Sequence, residues 1–321
     1  MMNSLKLLRY IHTNRFDSQS KGGFTLIELL VGIVLAGLVI TPLMNFMLNI
    51  LTTQRQEEAK ANTDQELQST INYITQDLRQ AIYIYDADGL NNISTHTQPG
   101  IKDQIPPLAP VTGCDASTNC TPVLVFWKRD FKPEILSRCT SESIDCLANT
   151  NLDDTFVYSL VVYYLIENNP VNTTESNTAR IARFQINDGV KDPRNFNNYI
   201  EPPDNGFQFF NLRVPGLTIK DKMNRWQKAN ENYTNSVATL VDFIDISAST
   251  KQQNCPANMQ QVPAIASGFY ACVDSINTTA QVHLRGNAIA RIRNDATCDI
   301  ASVYCPSVSV QVQGSGLLSR N

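Results

Sequence analysis

The sequence predicts an α+β fold in which a long amino-terminal helix leads into a mostly antiparallel β-sheet head. Two patterns lead to this prediction. A stretch of good helix formers begins with an almost wholly apolar run and then becomes amphipathic. The rest of the chain contains short runs rich in Val, Phe and Tyr, separated by polar segments with Pro and Gly. A helix followed by a series of strands is typical of a segregated α+β domain.

The apolar run extends from Phe24 to Leu51, after a basic leader that ends in Gly22 and Gly23, and its only charged residue is Glu28. A helix over this run would measure about 42 Å, enough to cross a hydrocarbon core of about 30 Å. A carboxylate in lipid costs about 2.5–3.5 kcal/mol, so Glu28 needs a partner. The nearest candidate is the amine that Phe24 gains if the chain is cut after Gly23.

The segment GG/FTLIE from Gly22 to Glu28, with its apolar helix, resembles the class III signal of type IV pilins and type II secretion pseudopilins. The resemblance implies that residues 1–23 are a leader, that prepilin peptidase cleaves after Gly23, and that Phe24 is methylated. It also implies that Glu28 neutralises the Phe24 amine of a neighbouring subunit in a filament, an attraction that low dielectric strengthens. A plain signal anchor is the alternative, and it leaves Gly23 and Glu28 unexplained.

The same resemblance implies the partners. They are other pilins or pseudopilins bound through the amino-terminal helix, the prepilin peptidase, an inner-membrane assembly platform and, before assembly, membrane lipid. The plan it implies is pilin-like, with the helix packed on the sheet.

Beyond Leu51 the helix is expected to continue to about residue 85, with 24–51 in the membrane and 52–85 amphipathic. Apolar residues recur at spacings of three and four in its second part: Leu67, Ile71, Ile74, Leu78 and Ile82. Pro42 predicts a kink or local melting, because proline removes a backbone donor. It comes slightly earlier than the usual pilin proline. Asp86 and Gly89 read as a stop signal.

The head is expected to span residues 86–321. Residues 91–122 and 188–205 are predicted loops because of their prolines and polar residues, and 221–232 is a short helix or loop. Strands are predicted at 122–128, 155–166, 178–186, weakly at 207–214, at 237–246 as a buried strand, and at 302–312. Alternation in residues 280–293 predicts one half-buried antiparallel strand with a basic outer face.

Eight cysteines lie beyond the apolar run in pairs that are close in sequence. The pairs are Cys114 and Cys120, Cys139 and Cys146, Cys255 and Cys272, and Cys298 and Cys305. The even count and export favour disulfides, although eight cysteines allow about 105 pairings and proximity alone chooses among them. A zinc site is the rival interpretation, but no pair has the spacing of a zinc knuckle and no histidine lies beside one. No metal is predicted.

The formal net charge of −4 hides an asymmetry, because the leader is basic and its removal leaves a chain of about −7. Basic residues before an apolar helix stay in the cytoplasm, so the head is expected outside the inner membrane, in the periplasm or cell envelope. An acidic exported head argues against nucleic acid as a partner.

Other candidate sites each have a less specific explanation. No catalytic constellation or cofactor motif is visible, so the chain is not expected to be an enzyme or to hold a cofactor. Asp153 and Asp154 would help to hold calcium or would be solvated.

Three arginines and four aromatic residues leave further alternatives open. Arg285, Arg291 and Arg293 would contact an anionic polymer or a neighbouring subunit, or would form a solvated strand face. Trp127, Tyr158, Tyr163 and Tyr164 would stack on sugar or pack in the core.

Together these features indicate a non-catalytic minor pseudopilin. The signal and large β-rich head are similar to those of the J-type minor pseudopilins of type II secretion. Length and the HLRGNAIARI segment are similar to those of cyanobacterial pseudopilins of hormogonium polysaccharide secretion, which implies an exopolysaccharide cargo that supports gliding. A minor pilin of a retractile pilus, serving adhesion, twitching or DNA uptake, and an anchored envelope enzyme are the alternatives.

Overall fold

The computed structural model describes residues 23–91, 100–115, 119–137, 152–167, 176, 178–247, 255–293, 297–298 and 302–316. The chain divides into two compact units, one up to Thr53 and the other from Gln54 onward. Helix α1, Leu26–Arg79, begins in the first unit and ends in the second.

Within the first unit, α1 continues through Pro42 without interruption, so the local melting expected there is wrong. Proline removes only one backbone hydrogen bond, and the bonds on either side hold the helical path. The Thr41 hydroxyl donates to the carbonyl of Gly37 at 2.8 Å. The bend predicted at Pro42 stays a prediction.

In the second unit, the amphipathic part of α1 buries the predicted stripe of Leu67, Ile71, Ile74 and Leu78. The predicted extension of the helix to residue 85 is wrong, because α1 ends at Arg79 and residues 81–84 form a strand. The sequence AIYI is rich in β-branched and aromatic residues, which favours a strand once a neighbouring strand is available.

The larger sheet has five antiparallel strands in the order β1-β2-β3-β4-β7. Its strands are β1 Ala81–Ile84, β2 Asn119–Ser137, β3 Leu152–Glu167, β4 Ala179–Asn187 and β7 Ala238–Ile244. These bounds confirm four predicted strands, and β2 and β3 form a hairpin longer than predicted. β7 is only half buried, because it is an edge strand with several exposed or partly exposed side chains.

Different segments of the chain pack on the two faces of this sheet. Side chains from α1 pack on one face, where Lys128 of β2 meets Asp77 of the helix. On the other face, Trp127 packs edge-on against Phe210 and Trp226 from the segment that precedes β7. The core therefore lies on both sides of β2 and β3.

The smaller sheet has four antiparallel strands in the order β11-β10-β9-β8. Its strands are β8 Gln260–Val262, β9 Phe269–Asp274, β10 Thr279–Arg285 and β11 Ser307–Gln313. The prediction of a single strand over 280–293 is wrong beyond Arg285, because Ile289–Arg291 is a short 3-10 helix. The side-chain oxygen of Asn287 accepts a hydrogen bond from the N–H of Ala290 at 3.1 Å and turns the chain there.

Two further predictions fail in the region before β7. Residues 188–205 contain a hairpin, β5 Val190–Asp192 and β6 Asn195–Glu201, in which Pro193 occupies the turn and does not interrupt a strand. Residues 207–214 form no strand. Their aromatic side chains pack edge-on against Trp127 and Tyr158 of the larger sheet.

Further short helices lie between the larger elements. Helix α2, Ala87–Asn91, contains Gly89 of the predicted stop signal, so that signal does not mark the end of α1 at Arg79, and Ile101–Asp103 forms one 3-10 turn within the predicted loop. Helix α3, Ile219–Asn224, overlaps the predicted short helix and is capped by Thr218, whose side chain accepts from the N–H of Asp221 at 3.2 Å.

Disulfide bonds join Cys114 to Cys120, Cys255 to Cys272, and Cys298 to Cys305, the neighbour pairs of the sequence. The fourth predicted pair, Cys139 and Cys146, lies outside the described residues. With the apolar helix and the antiparallel sheets, these bonds complete the predicted pilin-like α+β fold.

Candidate functional site

The candidate assembly site is the start of α1. Gly23, Phe24 and Thr25 precede the helix, and the side chain of Phe24 is 79% exposed. A Cβ added at Gly23 would meet nothing within 4 Å, so packing does not require glycine there. Gly22, the other predicted processing residue, lies outside the described residues.

Thr25 caps the helix through the backbone N–H of Glu28. The hydroxyl of Thr25 accepts a hydrogen bond from the N–H of Glu28 at 3.4 Å, and its carbonyl accepts from the same N–H at 3.1 Å. Thr-x-x-Glu is the spacing of a capping box, and an acid in the first turn is stabilised by the positive end of the helix dipole. Sequence reasoning missed this local role, although the TLIE spacing contains its signal.

In the rest of the first unit, the apolar surface of α1 is exposed. Within the described residues, α1 is the helix long and apolar enough to cross a membrane, and none of its apolar window is buried. Large apolar side chains such as Leu30, Leu38 and Phe46 are each more than half exposed. A surface of this kind is stable only in lipid or against other apolar helices.

A second cluster, the Asp77 network, holds the end of α1 on the larger sheet. The carboxylate of Asp77 binds Lys128 Nζ and Arg183 Nε, both at 2.8 Å, and accepts a hydrogen bond from the Tyr163 hydroxyl at 2.7 Å. Burial by itself would raise the pKa of Asp77, but Arg183 and Lys128 together lower it below its ordinary value. Lys128 also pairs with Asp130 at 2.6 Å.

The amphipathic prediction for α1 missed the Asp77 network, although a signal exists. Thr63, Thr70 and Asp77 are all buried and repeat every seven residues beside the apolar stripe. Polar residues at that spacing lie on one helix face, so they mark where side-chain hydrogen bonds join the packing.

The predicted basic face on residues 280–293 is not a solvated strand face. Arg291 pairs with Glu66 of α1 and donates from Nε to the Thr63 hydroxyl at 2.8 Å. Arg285 pairs with the buried Asp245 at 3.5 Å, and Arg293 is exposed. Two of the three arginines therefore join elements of the head.

The aromatic candidates divide between core and surface. Trp127, Tyr163 and Tyr164 are fully buried, which confirms the core interpretation for these three. Tyr158 is half-buried and packs edge-on against Phe209 and Phe210 at 5.2 and 5.4 Å. None of the four presents an open ring for a sugar.

The acidic pair takes a structural place in the β2–β3 hairpin. Asp154 accepts a hydrogen bond from the N–H of Glu134 at 2.9 Å, where Glu134 adopts a φ of 47°. Among the residues that the structure describes, no group of three His, Cys, Asp or Glu side chains is arranged to hold a metal ion.

Comparison with known proteins bears on the start of α1. Residues 18–44 match the family model for the prokaryotic N-terminal methylation motif. The chain carries this methylation motif. The motif supports a type IV pilin-like or pseudopilin protein that prepilin peptidase processes and that its apolar helix anchors in a membrane. Searches of the curated proteins and of the solved structures gave no match.

Proposed function

We propose that this chain is a non-catalytic minor pseudopilin that works by assembly. Prepilin peptidase cleaves it after Gly23, Phe24 is methylated, and α1 inserts among neighbouring subunits in a pseudopilus that drives secretion. The observation that carries the proposal is the methylation motif followed by an uncovered apolar helix whose only charge within residues 24–51 is Glu28.

The proposal divides the chain by role. Residues 1–23 are the leader, 24–51 the membrane and assembly segment, 52–79 the amphipathic part of α1, and 80–321 the head, which includes β1. The basic leader supports a head outside the inner membrane, and the disulfides of the head agree with an oxidising compartment.

The electrostatics at the start of α1 favour an intersubunit role for Glu28. Cleavage before Phe24 puts a positive amine at the helix end whose dipole is already positive. Each subunit brings one amine and one carboxylate to the apolar run, so the Glu28 of a neighbour can neutralise the Phe24 amine where low dielectric strengthens their attraction. Glu28 of each subunit is the acid at that depth in the apolar run.

Replacement of Glu28 by glutamine separates its charge from its capping role. Glutamine also fits the spacing of a capping box, and it removes the charge. We expect Glu28→Gln protein to be cleaved normally, with an N-methylated Phe24 by mass spectrometry, and to be depleted at least about tenfold from sheared filaments because the charge pair is lost.

The matched control is Thr25→Ala, which removes the cap at a cost of about 1 kcal/mol and keeps the charge. Its incorporation into filaments is expected to stay within about threefold of wild type. Equal incorporation of Glu28→Gln and wild-type protein would contradict the assembly role.

The cleavage site has its own test. Because a Cβ at Gly23 meets no atom of the described residues within 4 Å, we expect Gly23→Val to leave the fold unchanged and to give an uncut band on a blot. A mature amino terminus other than Phe24 in the wild-type protein would exclude the proposed processing.

The proposed cargo is an exopolysaccharide, which rests on the resemblance in length and in the HLRGNAIARI segment. Deletion of the gene is expected to abolish extracellular polysaccharide while pili still assemble. Loss of pili with normal polysaccharide would instead favour the minor pilin of a retractile pilus.

A further inference from the structure

A polar cleft of about 210 Å³ opens on the outer face of the smaller sheet. It lies where β10 and β11 meet the segments at Ser247 and Ser267. None of the functions discussed above uses it. The site is wholly within the second unit.

The rows of side chains across the sheet explain why a cleft forms. In one row, Ser309 of β11, His283 of β10 and Tyr270 of β9 are direct cross-strand neighbours. The Tyr270 and His283 rings stack in parallel, with their centroids 4.5 Å apart and an angle of 7° between their planes. Serine at 309 is too small to cover the other face of the imidazole, so that face borders the cleft.

The adjacent row adds a pair of opposite charges. Ser307 of β11 lies directly opposite Arg285 of β10, whose Nε is 3.5 Å from the buried carboxylate of Asp245. Both charged residues line the cleft. Burial lowers the pKa of His283, so the imidazole is neutral at neutral pH. The lining therefore carries no net charge.

Several polar groups of the cleft are available to a ligand. Within the part of the chain that the structure describes, no protein group hydrogen-bonds the hydroxyls of Ser267, Ser307 or Ser309. Each serine hydroxyl both donates and accepts, and the phenol of Tyr270 does the same. A ligand with many hydroxyls matches this lining, whereas an ion gains nothing from its balanced charge.

We propose that this cleft binds one neutral pyranose ring of a glycan. The apolar C–H face of the ring lies on the uncovered face of His283, and its hydroxyls exchange hydrogen bonds with the serines and with the Arg285–Asp245 pair. Flat aromatic surface beside paired donors and acceptors is the combination that a sugar, with one apolar face and a polar rim, requires.

If the proposed exopolysaccharide export holds, the inference names where the head contacts its cargo. The binding test uses purified protein and no filaments. Failure of binding therefore leaves the assembly proposal standing, and failure of assembly leaves the cleft standing.

Saturation-transfer NMR on the full chain in lipid nanodiscs tests the inference, since sugar-based detergents would compete for the cleft. The probes are methyl β-D-glucopyranoside, methyl β-D-galactopyranoside and methyl α-D-mannopyranoside, with D-glucuronate as the charged comparison. We expect transfer to the ring C–H protons of at least one neutral pyranoside and a weaker signal from glucuronate.

Two variants on the same edge strand make a matched pair. Ser309→Leu fills the space over His283 and is expected to weaken binding at least about tenfold, because the ring face is covered. Gln311→Leu makes a similar change two residues further along the same exposed face, outside the cleft, and is expected to leave binding within about twofold.

His283→Ala removes the platform and is expected to abolish the signal, and thermal melting checks that each variant is folded. The inference is overturned if no neutral pyranoside shows transfer, if glucuronate gives the strongest signal, or if folded Ser309→Leu protein binds as wild type does.

Discussion

The carboxylate of Asp77 lies on the sheet-facing side of α1, where it pairs with Lys128 and Arg183. A buried ion pair is weak support for stability compared with apolar packing, yet removal of one partner leaves an uncompensated buried charge. Loss of Asp77 leaves Arg183 without its carboxylate partner, whereas Lys128 keeps its ion pair with Asp130. The effect of a substitution is therefore larger than that of an exposed acid on the same helix.

We expect Asp77→Asn to lower the free energy of unfolding by about 3 kcal/mol at pH 7, since asparagine keeps the shape and removes the charge. Urea unfolding followed by tryptophan fluorescence reports this change, because Trp127 and Trp226 lie in the head. Glu58→Gln makes the same chemical change at an exposed position of α1 and is expected to stay within about 0.5 kcal/mol of wild type.

The pH dependence follows from the lowered pKa of Asp77. A carboxyl whose pKa is lower in the folded state stabilises the fold above its unfolded pKa of about 3.9, and this stability is lost as the pH falls through the folded value. Wild type should therefore lose stability below about pH 4 more steeply than Asp77→Asn. Parallel curves for the two proteins would show that the ion pairs do not contribute.

At the scale of elements, α1 and the end of β10 approach closely at Gly286. A Cβ at this position would clash with the methyl group of Thr63 and would lie 3.3 Å from Leu67 Cδ1. Both helix residues are buried. The hydroxyl of Thr63 has a separate use, since it accepts a hydrogen bond from Arg291 at 2.8 Å.

We expect Gly286→Ala to destabilise the head by about 1–3 kcal/mol, the usual cost of overpacking. Thr63→Ser removes the clashing methyl group and keeps the hydroxyl. In a double-mutant cycle, Thr63→Ser should restore at least half of the loss, as measured by chemical unfolding. Simple additivity of the two changes would show that the contact with α1 is not the cause.

Periodicity predicted the wrong structure for segments whose conformation depends on residues that are distant in sequence. Residues 81–84 continue the helical pattern, but β2 offers them backbone partners, and the hydrogen bonds of a sheet outweigh a weak local preference. Residues 286–293 continue the alternation of β10, but a turn fixed by Asn287 ends the strand. β2 lies outside any local window of sequence, and the turn is also held from a distance, because the N–H of Asn287 donates to the carbonyl of Phe243 at 2.7 Å.

At the scale of the whole molecule, the disulfides concern the compartment in which the head folds. Cys255–Cys272 closes the longer loop, with a sequence separation of 17, and Cys298–Cys305 a shorter one, with a separation of 7. In the chain-entropy model these loops are worth about 3 and about 2.5 kcal/mol. Both bonds staple the segments around the smaller sheet.

We expect the paired change Cys255→Ala and Cys272→Ala to lower stability by about 3 kcal/mol, slightly more than the paired change at Cys298 and Cys305. Thermal melts of the two variants with and without reductant measure both effects. Reductant should destabilise wild-type protein by more than either variant. Equal melting of oxidised and reduced wild type would contradict a stabilising role and weaken the argument for an oxidising compartment.

The sequence by itself determined the features that depend on local order. The methylation motif consists of the charged leader, the residues Gly23, Phe24 and Glu28 at their fixed spacing, and the apolar run. The sequence shows this motif because a peptidase and a membrane both recognise a short continuous stretch. Four of the five strands of the larger sheet, all except β1, were predictable because their apolar runs are long.

Only the tertiary structure decided what distant residues do together. The Asp77 network joins α1, β2, β3 and β4, and the polar cleft at His283 joins β9, β10 and β11 with Ser247 and Ser267. Charge pairing and ring stacking act over a few ångströms in space, whatever the separation along the chain. A one-dimensional pattern therefore shows which residues are polar and leaves open which of them meet.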